Sequence, residues 1–254
     1  MAYVIAVSGK GGTGKTTISA LILRELLEEG KKPVLMIDAD ADGNLSEALG
    51  LEDGKTVGEM VEELQRKISD FPPGFSKDDW LEAKIAEVML EERGFDLLVM
   101  GRGEGPGCYC YVNSVLRKIM DTVFKNYPYV VMDNAAGMEH LSRRTTREAD
   151  AFLVISDHSM KGIQSATRIA SLARELDLEI GRMGLIVNRA PGGKVAPKLV
   201  EEVQRGGLEL IGTVPEDEEV MEFDMERRSL LELPDENRSV QAVKEIMGKI
   251  QQRR

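Results

Sequence analysis

One stretch of the sequence decides the fold: Tyr3-Val4-Ile5-Ala6-Val7-Ser8-Gly9-Lys10-Gly11-Gly12-Thr13-Gly14-Lys15-Thr16-Thr17. Its apolar beginning is typical of a buried strand, and apolar residues at 18, 21, 22 and 26 then follow a helical period. The segment between them satisfies the pattern G-x-x-x-x-G-K-[ST]. Glycines let backbone N–H groups turn toward phosphate oxygens at the positive amino end of the helix. The stretch therefore predicts a nucleotide site, in which Lys15 reaches the β- and γ-phosphates and the Thr16 hydroxyl binds Mg²⁺.

The rest of the chain repeats this alternation of a short apolar run with a helical pattern. Further apolar runs occupy residues 33–37, 95–100, 129–132, 152–155, 183–187 and 210–214. They are continuous rather than alternating, as in strands that are buried on both faces. We therefore expect an α/β fold: one P-loop NTPase domain over residues 1–254, with a mostly parallel sheet of about seven strands and helices on both faces. Ligands are expected at the carboxyl ends of the strands.

Composition excludes several classes of protein. The 254 residues carry a net charge of −11 and contain only two cysteines, which excludes a disulfide scaffold. No apolar run is long enough to span a membrane, and no signal sequence is recognisable. The cytoplasm is the expected compartment. The acidic balance disfavours nucleic acid as a partner and stable association with a membrane.

Two further apolar runs end in carboxylates. The run 33–37 leads into Asp38-Ala39-Asp40-Ala41-Asp42-Gly43-Asn44, and the run 129–132 leads into Asp133. Carboxylates near the phosphates can hold Mg²⁺ through water or orient the attacking water. Asp133 matches the Walker B pattern and is expected to lie in the outer shell of Mg²⁺, whereas Asp42 is expected to be a solvated turn residue.

Both cysteines lie in a glycine-rich loop, residues 101–111, next to a helical pattern. Cys108 and Cys110 are separated by one residue, and an extended backbone directs residues i and i+2 to the same side. Idle thiols, a redox disulfide and a metal site all remain open. Thiolates suit Zn²⁺ or Ni²⁺, but a tetrahedral site normally takes four ligands. A two-fold dimer would bring two such pairs together.

The motifs resemble those of the deviant-Walker ATPases, which include the Min/Par proteins and the nitrogenase iron protein. The signature G-K-G-G-x-G-K-[ST]-[ST] is matched from Gly9 to Thr17. The resemblance implies that Lys10 crosses a dimer interface to the partner's ATP, that Asp40 positions the hydrolytic water, and that Asp38 supports the Mg²⁺ shell. Lys10, Lys15 and Asp40 are thus the expected catalytic residues. Ala41 replaces the usual proline, and Gly137 would be the γ-phosphate-sensing hinge.

The base is expected to be adenine. Guanine-specific relatives use N-K-x-D, whereas this chain has Asn188-Arg189-Ala190-Pro191, so the aspartate that accepts from guanine is missing. We expect Asn188 to contact the base and Arg189 to stack on it. Pro215, at the end of the run 210–214, resembles the proline of the family's adenine-side loop.

The cysteine motif narrows the resemblance to CooC-type accessory ATPases, which insert nickel into carbon monoxide dehydrogenase and related nickel–iron–sulfur enzymes. The matching segments are Gly9–Thr17, 106–110 and 137–141. The resemblance implies a homodimer that binds one metal ion, Ni²⁺ or Zn²⁺, through Cys108 and Cys110 of each chain, and a client nickel enzyme. His140 is a further candidate ligand, although a structural role is favoured for it.

Two other functions stay open. A Min/Par-type spatial organiser would need a basic surface or a basic amphipathic tail. The apolar residues at 240, 243, 246, 247 and 250 instead suggest a helix that packs on the domain, because large aromatic residues are missing and basic residues are few. An iron–sulfur carrier is disfavoured by the C-x-C spacing. A helix is also expected through Leu81, Ile85, Val88 and Met89, after a capping pattern at residues 76–79.

Overall fold

The protein is described by a computed structural model that covers residues 2–40, 43–67, 77–101, 123–136 and 148–251. Within these ranges, the side chains of 77–79, 81–83 and 148 are not described. Several predicted features lie outside the described residues: the cysteine pair and the helical pattern that begins after it, Ala41, Asp42, Gly137, His140 and the capping residue Ser76.

One sheet organises the described chain. Its eight strands are β1 (Tyr3–Gly9), β2 (Val34–Ala39), β3 (Met89–Glu92), β4 (Phe95–Val99), β5 (Tyr129–Asn134), β6 (Glu148–Ser156), β7 (Glu179–Ala190) and β8 (Leu210–Pro215). They lie side by side in the order β3-β4-β2-β5-β1-β6-β7-β8. Each pair is parallel except β3 with β4. Each of the seven predicted runs is a strand, so the expected fold class is confirmed.

Helices cover both faces of this sheet, because its strands bury side chains on both sides. The described helices are α1 (Lys15–Glu28), α2 (Asn44–Ala48), α3 (Val57–Lys67), α4 (Lys77–Val88), α5 (Met160–Glu175), α6 (Pro197–Arg205), α7 (Glu218–Met225) and α8 (Arg238–Gln251). On β1, Ile5 and Val7 belong to the core that contains α1 and α8. Val4 and Ala6 belong to the core that contains α3, α5 and α6. Alternate side chains of one central strand thus anchor the two layers.

The eighth strand was not expected, and the predicted helical position of Met89 is wrong. The chain leaves α4 at Val88, and Met89 pairs with Leu98 of β4. Gly94, with φ of 96°, makes the tight turn that returns the chain from β3 to β4. Pairing along the sheet edge overrides the helical continuation. β3 is short and ends in Glu91 and Glu92, and such short, charged edge strands resist further pairing.

The C-terminal helix packs on the domain, as predicted. In α8 the apolar residues Val240, Val243, Ile246, Met247 and Ile250 are buried in the core that contains α1. A Cβ at Gly212 of β8 would collide with the Ile246 side chain, so the glycine permits this close approach. Among the helices of the described ranges, we find none long and apolar enough to cross a membrane.

Removal of this packing should destabilise the whole domain. Ile246 is 1% exposed, and we expect Ile246→Ala to lower the free energy of unfolding by about 2–5 kcal/mol, because it leaves a cavity between α8 and the sheet. The neighbouring Glu245 is exposed, so Glu245→Ala should change it by less than about 0.5 kcal/mol. Urea unfolding measures both variants. Equal effects would contradict the packing of α8.

Candidate functional site

The predicted phosphate loop lies at the carboxyl edge of the sheet, where the strand order changes direction. β1 ends at Gly9 and α1 begins at Lys15, so the loop connects a central strand to a helix amino end. β1 pairs with β5 on one side and β6 on the other. The chain runs from β1 toward β2 on one side and from β5 to β6 on the other, which opens a crevice at this point.

Three glycines shape the loop. Gly12 has φ of 75° and Gly14 has φ of 84°, a backbone conformation that residues other than glycine rarely adopt. A Cβ on Gly9 would collide with the carbonyl oxygen of Ile155 in β6, and one on Gly14 would collide with the Asn188 amide of β7. The loop therefore lies directly against its neighbouring strands, and a larger residue at Gly9 or Gly14 would displace it.

The two lysines of the loop occupy different surroundings. Lys15 is 7% exposed, and its positive charge partly opposes the rise in pKa that burial causes at Asp38 and Asp133. Lys10 is exposed, although its carbonyl accepts a hydrogen bond from the Thr13 hydroxyl at 2.8 Å. Lys15 therefore lies within the site, whereas the Lys10 side chain is accessible from outside the domain.

Strand register brings the two predicted magnesium carboxylates together. Asp38 of β2 is the direct partner of Asp133 in β5, and Asp133 is in turn the partner of Val7 in β1. Both aspartates are 1% exposed. Asp38 accepts hydrogen bonds from the backbone N–H groups of Asp40 at 3.0 Å and Leu45 at 2.8 Å. Asp133 accepts from the Thr16 hydroxyl at the start of α1.

Burial disfavours the ionised form of both carboxyl groups. Burial raises the pKa of Asp38 to about 6, against the effect of its two backbone hydrogen bonds. Burial likewise raises the pKa of Asp133 to about 7, and the nearby charge of Asp38 adds to this shift. Among the described residues, Oδ1 of Asp133 is buried without a hydrogen-bond partner. An oxygen ligand set of this kind, with one unsatisfied acceptor, fits Mg²⁺ and its waters.

The third carboxylate of the predicted set, Asp40, lies at the mouth of the site. It is half-buried, its N–H group donates to Asp38, and its carbonyl accepts from Gly43 at 3.3 Å. The Asp38 hydrogen bonds to Asp40 and Leu45 close this loop on itself. Asp40 is therefore tied to the buried pair through backbone contacts, while its own role toward a ligand stays a prediction.

The predicted base contacts also come together. Thr17, Asn188, Arg189 and Pro215 line one pocket of about 100 Å³ beside α1. Asn188 is 4% exposed and Pro215 is buried, whereas Arg189 is exposed at the pocket's rim. The carboxyl ends of β7 and β8 thus supply this pocket, and its closeness to the phosphate loop suits a base on a bound nucleotide. The roles of these residues toward a base stay predictions.

Sequence reasoning missed other parts of this pocket. Met221 and Ser239 also line it, and so does Asp217. Asp217 caps α7 by accepting from Glu219 and Val220, and its second oxygen accepts from the Ser239 hydroxyl at 3.1 Å. An aspartate just before a helical run is a recognisable cap. The contribution of Ser239 depends on how α8 packs, which no local pattern indicates.

The cysteine loop begins next to Asp38. Cys108 and Cys110 lie outside the described residues, which include only Gly101 at the start of this loop. β4 precedes it, and Val99 of β4 is the register partner of Asp38. The N–H of Met100 donates to the Asp38 carbonyl at 2.9 Å. Elsewhere in the described ranges, we find no cluster of three or more side chains suited to hold a metal ion.

The raised pKa values have a consequence for stability. Asp133 has a folded-state pKa of about 7 against 3.8 for a free carboxyl, so folding stability falls as pH rises between these values. Without Mg²⁺ and nucleotide, we expect Asp133→Asn to gain stability relative to wild type at pH 8, on the order of 1 kcal/mol or more, and much less at pH 5.

Urea unfolding with a chelator at both pH values measures this gain. The control is Glu201→Gln on α6, which removes an exposed carboxylate and should show the wild-type pH dependence. If the stability of Asp133→Asn depends on pH as that of wild type and of this control does, ionisation of Asp133 does not destabilise the folded chain.

Comparison with known proteins places this geometry in a family. Residues 4–230 match the family described as the CobQ/CobB/MinD/ParA nucleotide binding domain. An uncharacterized ATP-binding protein of Methanocaldococcus jannaschii is 44% identical over 97% of this chain and 98% of its own length. The carbon monoxide dehydrogenase accessory protein CooC of Rhodospirillum rubrum is 28% identical over 90% of this chain and 89% of its own.

The fold agrees with this assignment. The cell division ATPase MinD of Pyrococcus furiosus superposes with a TM-score of 0.75 at 21% identity, covering 98% of each chain. The predicted identification as a CooC-type protein is therefore supported at the level of the wider family, with CooC as a more distant relative. The chain belongs to the CobQ/CobB/MinD/ParA family of P-loop ATPases.

Proposed function

We propose that this chain is an ATP-dependent, homodimerising metal carrier that binds Ni²⁺ or Zn²⁺ through Cys108 and Cys110 and assists metal insertion into a nickel enzyme. One observation carries the proposal. Met100, the residue just before the cysteine loop, donates its N–H to the carbonyl of Asp38 in the predicted nucleotide site. The pairing of β2 with β4 would therefore connect the proposed metal site to the nucleotide site.

The nucleotide part of the proposal rests on the loop and its carboxylates. Lys15 supplies positive charge for the β- and γ-phosphates, while Thr16, Asp38 and Asp133 would hold Mg²⁺ and its waters. When bound, Mg²⁺ neutralises phosphate charge. Asp40 would orient the attacking water from the mouth of the site. Asn188, Arg189 and Pro215 would receive adenine, since the aspartate of guanine-specific sites is replaced by Pro191.

The coupling between the sites would follow from β2 and β4. A change in the segment after Asp38, when nucleotide binds or is hydrolysed, acts on the strand ends that carry the cysteine loop. If ATP favours one arrangement of that loop, the metal ion must favour the same arrangement in return, because coupling between two ligands is reciprocal. ATP would then tighten metal binding, and hydrolysis would weaken it.

A dimer would complete both sites. Lys10 is exposed at the loop, where its ammonium group can reach the phosphates of a nucleotide held by a second chain. Two cysteines make half of a four-ligand site, and the two-fold axis of a homodimer would supply the other two. In this proposal the metal ion is the cargo, held between chains while ATP keeps the dimer closed.

The client is proposed from two sources. The relative CooC is named as an accessory protein of carbon monoxide dehydrogenase, and it aligns with most of this chain. The C-x-C pair supplies soft thiolate ligands that suit nickel or zinc. A nickel enzyme of the carbon monoxide dehydrogenase type is therefore the proposed acceptor, and the net charge of −11 favours a protein client over nucleic acid.

The alternative of a Min/Par-type organiser has less support. A membrane-binding tail needs an apolar face free to enter the lipid, whereas α8 buries its apolar face in the core. An iron–sulfur carrier is distinguished by experiment, since a bound cluster would colour the purified protein brown.

The metal site is tested by removing the thiols. We expect the double variant Cys108→Ala/Cys110→Ala to lose binding of one Ni²⁺ or Zn²⁺ per dimer while keeping wild-type affinity for ATP, because the nucleotide loop is untouched. Equilibrium dialysis with metal analysis measures the stoichiometry. The control is His158→Ala, since His158 accepts a hydrogen bond from the N–H of Ala196. Full metal binding by the double variant would refute the cysteine site.

The nucleotide roles are tested by three single substitutions. Lys15→Ala should lose ATP, whereas Lys10→Ala should bind ATP and remain monomeric. Asp40→Ala should bind ATP, stay dimeric and hydrolyse it about 100-fold more slowly, because the water is no longer oriented. Light scattering and phosphate release measure these effects, with the exposed Lys198→Ala as control. Normal hydrolysis by Asp40→Ala, or an ATP-dependent dimer of Lys10→Ala, would contradict the assigned roles.

A further inference from the structure

Two residues at the carboxyl end of β7 donate hydrogen bonds to carbonyl groups of the phosphate loop. Nδ2 of Asn188 donates to the carbonyl oxygen of Thr13 at 2.9 Å in a buried hydrogen bond. Oδ1 of the same amide accepts from the N–H of Arg189 at 2.9 Å. The Arg189 guanidinium in turn donates to the Gly12 carbonyl at 3.4 Å. Two successive carbonyl groups of the loop are thus held by two successive residues of β7.

The orientation of the Asn188 amide is fixed by its partners. A backbone carbonyl only accepts, so the atom that faces Thr13 must be the amide nitrogen. A backbone N–H only donates, so the atom that faces Arg189 must be the amide oxygen. Aspartate would place an acceptor against an acceptor, and an apolar side chain would leave the Thr13 carbonyl without this donor. Among ordinary side chains of this size, asparagine satisfies both contacts.

These contacts determine where the loop's N–H groups point. In a trans peptide, the C=O of one residue and the N–H of the next point in opposite directions. Because Asn188 holds the Thr13 carbonyl toward β7, the N–H of Gly14 points away from β7. The Thr13 hydroxyl holds the Lys10 carbonyl in the same manner, which turns the N–H of Gly11 away from that contact. The positive φ of Gly14 accommodates the resulting turn into α1.

We propose that Asn188, assisted by Arg189, is a positioning residue for the phosphate loop, which it orients for the triphosphate whether or not a base is bound. The inference rests on the proposed ATP site and adds to it, because Asn188 also lines the base pocket. The Asn188 amide would then connect the base pocket to the phosphate loop, because it lines the first and is hydrogen-bonded to the second. A base that shifts the end of β7 will also shift the peptide groups that meet the phosphates.

The test separates a base contact from loop positioning by using a ligand without a base. Inorganic tripolyphosphate and ATP are titrated into wild type, Asn188→Ala and Asn188→Leu by calorimetry. Both variants remove the donor and are neutral, and leucine keeps the branched shape of the side chain at Cγ. We expect both to lose about tenfold or more in affinity for each ligand, by similar factors, because a buried carbonyl loses its partner.

Met221→Ala is the matched control. Met221 lines the base pocket from α7, so its truncation should weaken ATP binding and leave tripolyphosphate binding unchanged. Thermal unfolding of the ligand-free variants shows that each is folded at the titration temperature.

Three results would overturn the inference. The Asn188 variants could lose ATP affinity while binding tripolyphosphate as wild type does, which would leave only a base contact. Asn188→Leu could bind both ligands normally, which would reduce the role of Asn188 to filling space. Wild type could bind ATP but not tripolyphosphate, which would show that the loop is not oriented without a base. Failure of the proposed ATP site looks different, since wild type would then bind neither ligand.

Discussion

The parallel register of β2, β5 and β1 is the constraint on which the site depends. It places Asp38 opposite Asp133, sets Asp133 beside the strand that carries the phosphate loop, and buries both carboxylates. Such a pair in a poorly solvated place needs positive charge, which Lys15 supplies in part. A bound cation would supply more positive charge, which is consistent with the proposed magnesium site. A ligand that binds the folded chain and relieves this cost also stabilises the domain.

The same register places the predicted nucleotide site in contact with strands on both sides of β1. β2 contacts β5 on one side and β4 on the other, so Asp38 lies between Asp133 and the strand that leads into the cysteine loop. On the far side of β1, β7 reaches the loop through Asn188. On the near side, Thr16 at the end of the loop donates to Asp133 of β5, so both halves of the sheet contact the loop.

Much of the fold could be predicted because a strand that is buried on both faces of a sheet appears in the sequence as a continuous apolar run. Continuous apolar runs such as 129–132 became strands, and the helical face at 18–26 became the buried side of α1. β3 was missed because Met89 continues the helical period of Ile85 and Val88, and only pairing with β4 makes it part of a strand. The pocket contribution of Ser239 was missed for a similar reason. It depends on α8 returning to β8, far from it in sequence.

By itself, the sequence determined the chemistry: a glycine loop with two lysines, aspartates at strand ends, an N-R-x-P segment and a C-x-C pair. These are local patterns, and each residue type carries its own donor, acceptor or charge. Only the tertiary structure decided which of them meet. Strand order and register pair Asp38 with Asp133 and bury both, which raises the pKa of both. They also place Asn188 where it donates a hydrogen bond to the Thr13 carbonyl. Strand order and register are set by packing between distant segments, which periodicity along the chain does not encode.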